Sequence, residues 1–322
     1  MKKHKICKIL LVILAIFLCV AFYELLGICV AYKKQPEVSN TTKKETKNGS
    51  WNECSENTER AVIIEKNPEA LLQRVRLIKN AKKEIILSTF AFQSDESGKL
   101  ILGALHDAAD RGVHIRLLVD GMESWIDMEG NPYFYGLSSH ENVEIKLYNK
   151  ANPLKPWKMM GRMHDKYLIA DGKRYILGGR NTYNYFLGDF PGHKNYDRDV
   201  LVVCDEPEKE NSVNQLLEYF ETIWEQEDSG YFHDNKKLAN RKSVKNAVLE
   251  LQNGYQKYFE ENKERICDTD YTDETFETEK IALVSNPIHT GPKEPVVWYQ
   301  LGELMKNAKE RVKIHTPYII CK

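Results

Sequence analysis

The sequence predicts an α/β fold. Apolar segments of strand length alternate with amphipathic helical spacings from residue 60 to 147. A turn signal at Asp171-Gly172 then joins two further short apolar runs. With 322 residues, the chain is long enough for one large or two medium domains.

The N-terminus stands apart from that pattern. After Met-Lys-Lys-His-Lys, the run from Ile9 to Tyr32 carries one charge, Glu24. A stretch of about 20 apolar residues spans a bilayer core. The run is longer than a signal peptide's apolar region of about 7–15 residues, and no convincing small-x-small cleavage site follows it. Residues 1–32 are therefore expected to be an uncleaved membrane anchor. Lysines flank both ends, and their balance leans toward N-terminus inside and the folded part outside. Residues 33–59, rich in Lys, Asn, Thr, Ser and Glu, read as a flexible tether.

From Arg60 the elements follow in order. Leu71, Leu72, Val75 and Ile78 recur at helical spacing within 68–83. Ile85–Phe92 is a strand bounded by charges. Gly98–Arg111 is a second helix, and Gly112 takes the left-handed position after it. Val113–Val119 and Val143–Leu147 are strands. Tyr167–Ala170 and Tyr175–Leu177 form a hairpin, and Val200–Cys204 is another strand. Residues 207–226 form a helix, and Ser243 is placed to cap one more, through Glu264. Residues 268–279 read as an acidic loop. The tail repeats the order seen at the start: Lys79-Asn80-Ala81-Lys82 leads to Thr89, and Lys306-Asn307-Ala308-Lys309 leads to Thr316.

Composition narrows the function. The formal net charge is −1, with no long basic run, so there is no electrostatic footprint for nucleic acid. The seven cysteines include no CxxC pair, and so indicate neither a zinc site nor a disulfide framework. Cys204 is expected to be a buried thiol.

One constellation carries chemistry. In a strand, His164 and Lys166 project from the same face. Asp171 closes that strand at the turn, and the return strand ends in Gly178-Gly179-Arg180-Asn181. An imidazole can attack phosphorus or protonate a leaving oxygen. An ammonium, an amide donor and open backbone can hold phosphoryl oxygens. Paired glycines are expected to let a ligand approach the backbone. Each residue alone is ordinary; the combined spacing is rare.

The segment from Arg162 to Asn181 resembles the His-Lys-Asp motif of the phospholipase D superfamily, in particular its bacterial cardiolipin synthase branch. Ile85–Gly121 and Thr316-Pro317-Tyr318 extend the resemblance. It implies a phospholipase D-type α/β/α sandwich with a mixed central sheet, behind a transmembrane helix. It implies a catalytic set of His164, Lys166 and Asp171, the last in a structural or electrostatic role, with Asp199 orienting the histidine. Lys166, Gly179 and Asn181 would bind phosphate. No cofactor and no metal are implied. Residues 60–267 would form the first phospholipase D-like domain and 268–322 the start of a truncated second one.

That family pairs two such motifs at a shared site. Here His233, His289 and His315 each lack a lysine two residues on. The expected function is a membrane-anchored phosphatidyltransferase acting on phospholipids through a phosphohistidine. Its alternatives are a lipase or nuclease completed by a homodimer, or an inactive phospholipid-binding fragment.

Overall fold

The computed structural model describes residues 2–49, 59–204, 211–233 and 235–314. Cys54, His315, Thr316-Pro317-Tyr318 and Cys321 lie outside the described residues.

The strands are β1 (Arg60–Ile64), β2 (Glu84–Thr89), β3 (His114–Asp120), β4 (Val143–Tyr148), β5 (Lys166–Ala170), β6 (Arg174–Gly178), β7 (Asp199–Val203), β8 (Ser229–Tyr231) and β9 (Phe276–Glu277). They form one mixed sheet in the order β8-β4-β3-β2-β5-β6-β7-β1-β9. β2, β3 and β4 are parallel, and β5, β6 and β7 form an antiparallel meander beside them. The helices are α1 (Lys2–Ala31), α2 (Asn40–Lys47), α3 (Asn67–Asn80), α4 (Glu96–Asp110), α5 (Glu123–Asp127), α6 (Pro132–Ser138), α7 (Ser212–Trp224), α8 (Lys242–Glu261), α9 (Lys263–Cys267) and α10 (Val296–Lys306).

Period-two alternation builds two cores. Ile85, Leu87, Ile115, Leu117, Leu168 and Leu201 point to the face covered by α3, α4, α6 and α8. Ile86, Leu118, Tyr167, Ile169, Val202 and Cys204 point to the other face, against α7 and the segment that carries Ile281, Leu283 and Ile288. The result is a three-layer α/β/α sandwich with a mixed central sheet, as the sequence predicts.

The hairpin is formed as expected. Asp171 and Gly172 have φ of 55° and 63°, the positive values that a type I′ turn requires. Gly112 likewise takes φ 87° after α4.

Other expectations change. Within the predicted tether, residues 40–47 are helical. Ser39 caps α2 through Thr42 N–H, and Glu294 accepts from Ser39 N–H at 2.8 Å and Thr42 Oγ1 at 2.6 Å. Ser243 is not a cap: α8 starts at Lys242, with Arg241 at the cap position and no side-chain bond. Asn262 then breaks the helix before α9. The 268–279 loop contributes β9, which pairs with β1 across the predicted domain boundary. Tyr271 from this loop is buried under the Arg76 guanidinium, 3.9 Å from its ring centre. Residues 307–314 form no strand, and Val312 and Ile314 are exposed.

The register places one row across the sheet. Thr89 pairs with Lys166 and Val119, and Gly178 pairs with Asp199, which pairs with Ile64. On the helical face, α4 crosses α8 at Gly103. A Cβ there would lie 2.7 Å from both Leu251 O and Tyr255 Cβ. Gly103→Ala is therefore expected to destabilise the fold by about 1–3 kcal/mol through overpacking. Urea unfolding checks this, and an unchanged midpoint would contradict the crossing.

Candidate phosphodiester site

His164 lies one residue before β5, and Lys166 is the strand's first residue. The strand's lead-in is held from below by Asp120, at the end of β3. Its carboxylate is fully buried and accepts from Met163 N–H at 3.0 Å and Arg162 Nη1 at 3.0 Å. Arg162 also donates to the Asn149 carbonyl. Burial raises the Asp120 pKa, and the Arg162 charge and backbone N–H donors oppose that rise.

His164 is open to solvent at the mouth of a cleft of about 390 Å³. Its ring packs on Phe90, with centroids 4.7 Å apart. Lys166 is buried at 6% exposure, with Nζ 5.3 Å from the same ring and donating to the His164 carbonyl at 2.7 Å. Phe90 thus supports both groups; nothing in the motif spacing marks it.

The electrostatics follow from this packing. Partial burial, then the Lys166 charge, lower the His164 pKa, which favours neutral imidazole. Burial brings Lys166 down to about 8, against the opposing pull of Asp165 and Asp197. Asp165 lines the same cleft on its α7 side, where Tyr219 donates to it at 2.7 Å. Burial raises its carboxyl. Lys293, Asn286 and Ser285 come in from the distal segment to line the same cleft.

The remaining predicted site residues are placed elsewhere. Asp171 sits at the opposite end of β5 from His164. Its carboxylate accepts backbone N–H groups of Lys82, Lys83 and Glu84 at 2.8–3.1 Å. It ties the hairpin to the start of β2 and is not among the residues that line the cleft.

Asp199 is completely buried. It pairs with Arg74 at 2.9 Å and Arg180 at 3.2 Å. Among the described residues no carboxylate is hydrogen-bonded to the His164 ring, so Asp199 does not orient it directly. The paired glycines are closely packed. A Cβ on Gly178 would lie 1.9 Å from Asp199 Oδ1, and one on Gly179 would lie 2.0 Å from Asp197 Oδ2. Their missing side chains make room for two carboxylates, and Gly178 also lines the cleft. Asn181 is buried, and its amide oxygen accepts from Ala91 N–H at 3.2 Å. It fastens the chain leaving β6 to the chain leaving β2 and does not line the cleft.

What the site offers is a neutral imidazole at the mouth, a buried ammonium beside it and a second lysine across the cleft. That set can attack phosphorus and hold phosphoryl oxygens. Among the described residues no cluster of metal-ligating side chains is present.

Residues 74–224 match the family model described as "Cardiolipin synthase, PLD-like domain". A curated relative, an uncharacterized protein of Helicobacter pylori, is 28% identical over 292 residues, covering 81% of this chain and 54% of that one. Cardiolipin synthase C of Escherichia coli is 29% identical over 171 residues, covering 49% of this chain and 34% of that one. The chain thus spans about half the length, or less, of these curated relatives. Among solved structures, NucT from Helicobacter pylori aligns with TM-score 0.43 and 17% identity, over 54% of this chain and 99% of that one.

Asp171→Ala is expected to cost roughly 1.5–3 kcal/mol, from the lost charge-assisted acceptor. Activity per folded molecule should be unchanged, and Asp171→Asn should recover part of the stability. Loss of activity with an unchanged urea midpoint would return Asp171 to the chemistry.

Proposed function

Residues 74–224 belong to the phospholipase D superfamily, on its cardiolipin synthase-like branch, and on that premise we propose that this chain supplies one half of a membrane-held phosphatidyltransferase. The observation that carries the reading is the His164–Lys166 pair on one cleft, with the imidazole biased to its neutral form.

A ring nitrogen of His164 attacks the phosphorus of a phospholipid. The bond from phosphorus to the donor alcohol breaks, and a second acid protonates the leaving oxygen. The phosphatidyl group is then held as a phosphohistidine. The hydroxyl of another phospholipid attacks that phosphorus, its proton passes to the second group, and the P–N bond breaks. Lys166 binds non-bridging oxygens through both steps, and Lys293 faces the same cleft.

The 322 residues carry one His-x-Lys-x4-Asp motif. The second proton-handling group therefore comes from a second copy of the chain or from further residues of a longer one. Hydrolysis is the same sequence of steps with water as acceptor. The helix Lys5–Ala31 is long and apolar enough to cross a membrane and would hold the site beside its lipid substrates.

His164→Ala should lower transfer on the order of 10³-fold or more and remove the phosphoenzyme formed from labelled phospholipid. Retained phosphoenzyme in that variant sinks the nucleophile assignment. The pH dependence of kcat/KM reports the free enzyme. Lys166 is charged below about 8 and neutral above, so kcat/KM should fall as pH rises through about 8. Lys166→Arg keeps its charge and should lose that alkaline limb. A limb that persists in Lys166→Arg belongs to another group.

A further inference from the structure

Between β4 and β5 the chain makes an excursion that presents Leu154, Trp157 and Met160 to solvent, at 76%, 45% and 57% exposure. Single exposed apolar residues need no explanation. Three within seven positions, beside Lys150, Lys155 and Lys158, form a patch that does.

The position of the loop indicates what covers it. It packs on α1: Tyr23 donates its hydroxyl to Leu154 O at 3.0 Å, and a Cβ on Gly27 would come within 2.5 Å of Pro156 Cγ. The apolar stretch Lys5–Ala31 has 27 residues. At about 1.5 Å per residue it is roughly 40 Å long, against roughly 30 Å of hydrocarbon. About two turns are left over. Lys5 and Lys8 hold the first end at a headgroup layer, so the surplus emerges at the other end, near Glu24 and Gly27. The loop's contacts on α1, at Tyr23 and Gly27, straddle the point where those turns begin.

We infer that Leu154, Trp157 and Met160 seat this loop in the headgroup layer of an anionic phospholipid bilayer, with Lys155 on a lipid phosphate while Lys158 and Lys150 stay paired with Asp228 and the Tyr231 carbonyl. The chemistry fits that depth: tryptophan favours the membrane–water boundary, and lysines there favour anionic lipid. Lys33 and Lys34, just beyond α1, add to the same charge. The loop runs directly into Arg162, Met163 and His164, so a seated loop brings headgroup phosphates to the mouth of the cleft. This inference rests on reading α1 as a membrane span.

The test is tryptophan quenching of the full chain in nanodiscs that contain brominated phosphatidylglycerol. Lipid brominated near the headgroup should quench the wild type more than lipid brominated deep in the acyl chain. Trp157→Phe should lose most of that difference, and Trp224→Phe, at a buried position, should keep it. Replacing phosphatidylglycerol by phosphatidylcholine should reduce it. If Trp157→Phe is quenched like the wild type while carbonate washing leaves the chain in the membrane, the loop inference fails and the span stands. A cross-linked dimer that depends on Trp157 would then identify a second copy as the occupant. If carbonate strips the chain while Trp157 remains quenched, the span reading fails and the lipid contact stands.

Discussion

The buried ion cluster of Asp199 with Arg74 and Arg180 is the constraint around which the site end of the sheet is arranged. All three side chains are almost wholly excluded from solvent. Buried charges cost several kcal/mol each to desolvate, and stripping one partner from such a group typically costs about 3–5 kcal/mol. Arg180 offsets that cost by donating to the carbonyls of Ile64, Glu65 and Asp197 and to Asn67 Oδ1. One guanidinium thus fixes the ends of β1 and β7 and the start of α3 relative to one another. The neighbouring glycine, Gly178, is explained by the same cluster, since the Asp199 carboxylate occupies the space a side chain would need.

This arrangement separates support from chemistry along a single strand. At one end of β5, Asp171 gathers three backbone amides; at the other, Lys166 gives up bulk hydration and gains Phe90, the His164 carbonyl and the field of two carboxylates. An ammonium poised near neutrality binds a phosphate strongly because it is already desolvated. The cost of that desolvation is borne by the packed sheet around it. Such groups are concentrated at functional sites for this reason.

Much of the architecture was legible in the sequence because it depends on local spacing. Period-two apolar runs placed the strands, the Asp171-Gly172 pair placed the hairpin, and the two-residue step from His164 to Lys166 placed both on one cleft. What was not legible depends on partners remote in the chain. Asp171 is satisfied by amides nearly ninety positions earlier, Gly179 by Asp197 and Asn181 by Ala91. The motif marks these residues as a set without indicating that only part of the set faces the cleft. Phe90 was invisible because an aromatic residue after an apolar strand is ordinary; its meaning comes from the strand that pairs with it. The helix at 40–47 was hidden for a similar reason, since its polar residues are ordered by Glu294, far along the chain.

The pairing of Thr89 with Lys166 has a further consequence. Neighbours on a strand face opposite ways, so a slip of β5 by one position would bring Asp165 beside Phe90 and turn Lys166 toward Tyr219. The ammonium and the carboxylate, which both line the cleft, would then exchange places within it. The polarity of the site is in this sense a property of strand alignment as much as of residue identity, and the pairs that lock the alignment guard its direction.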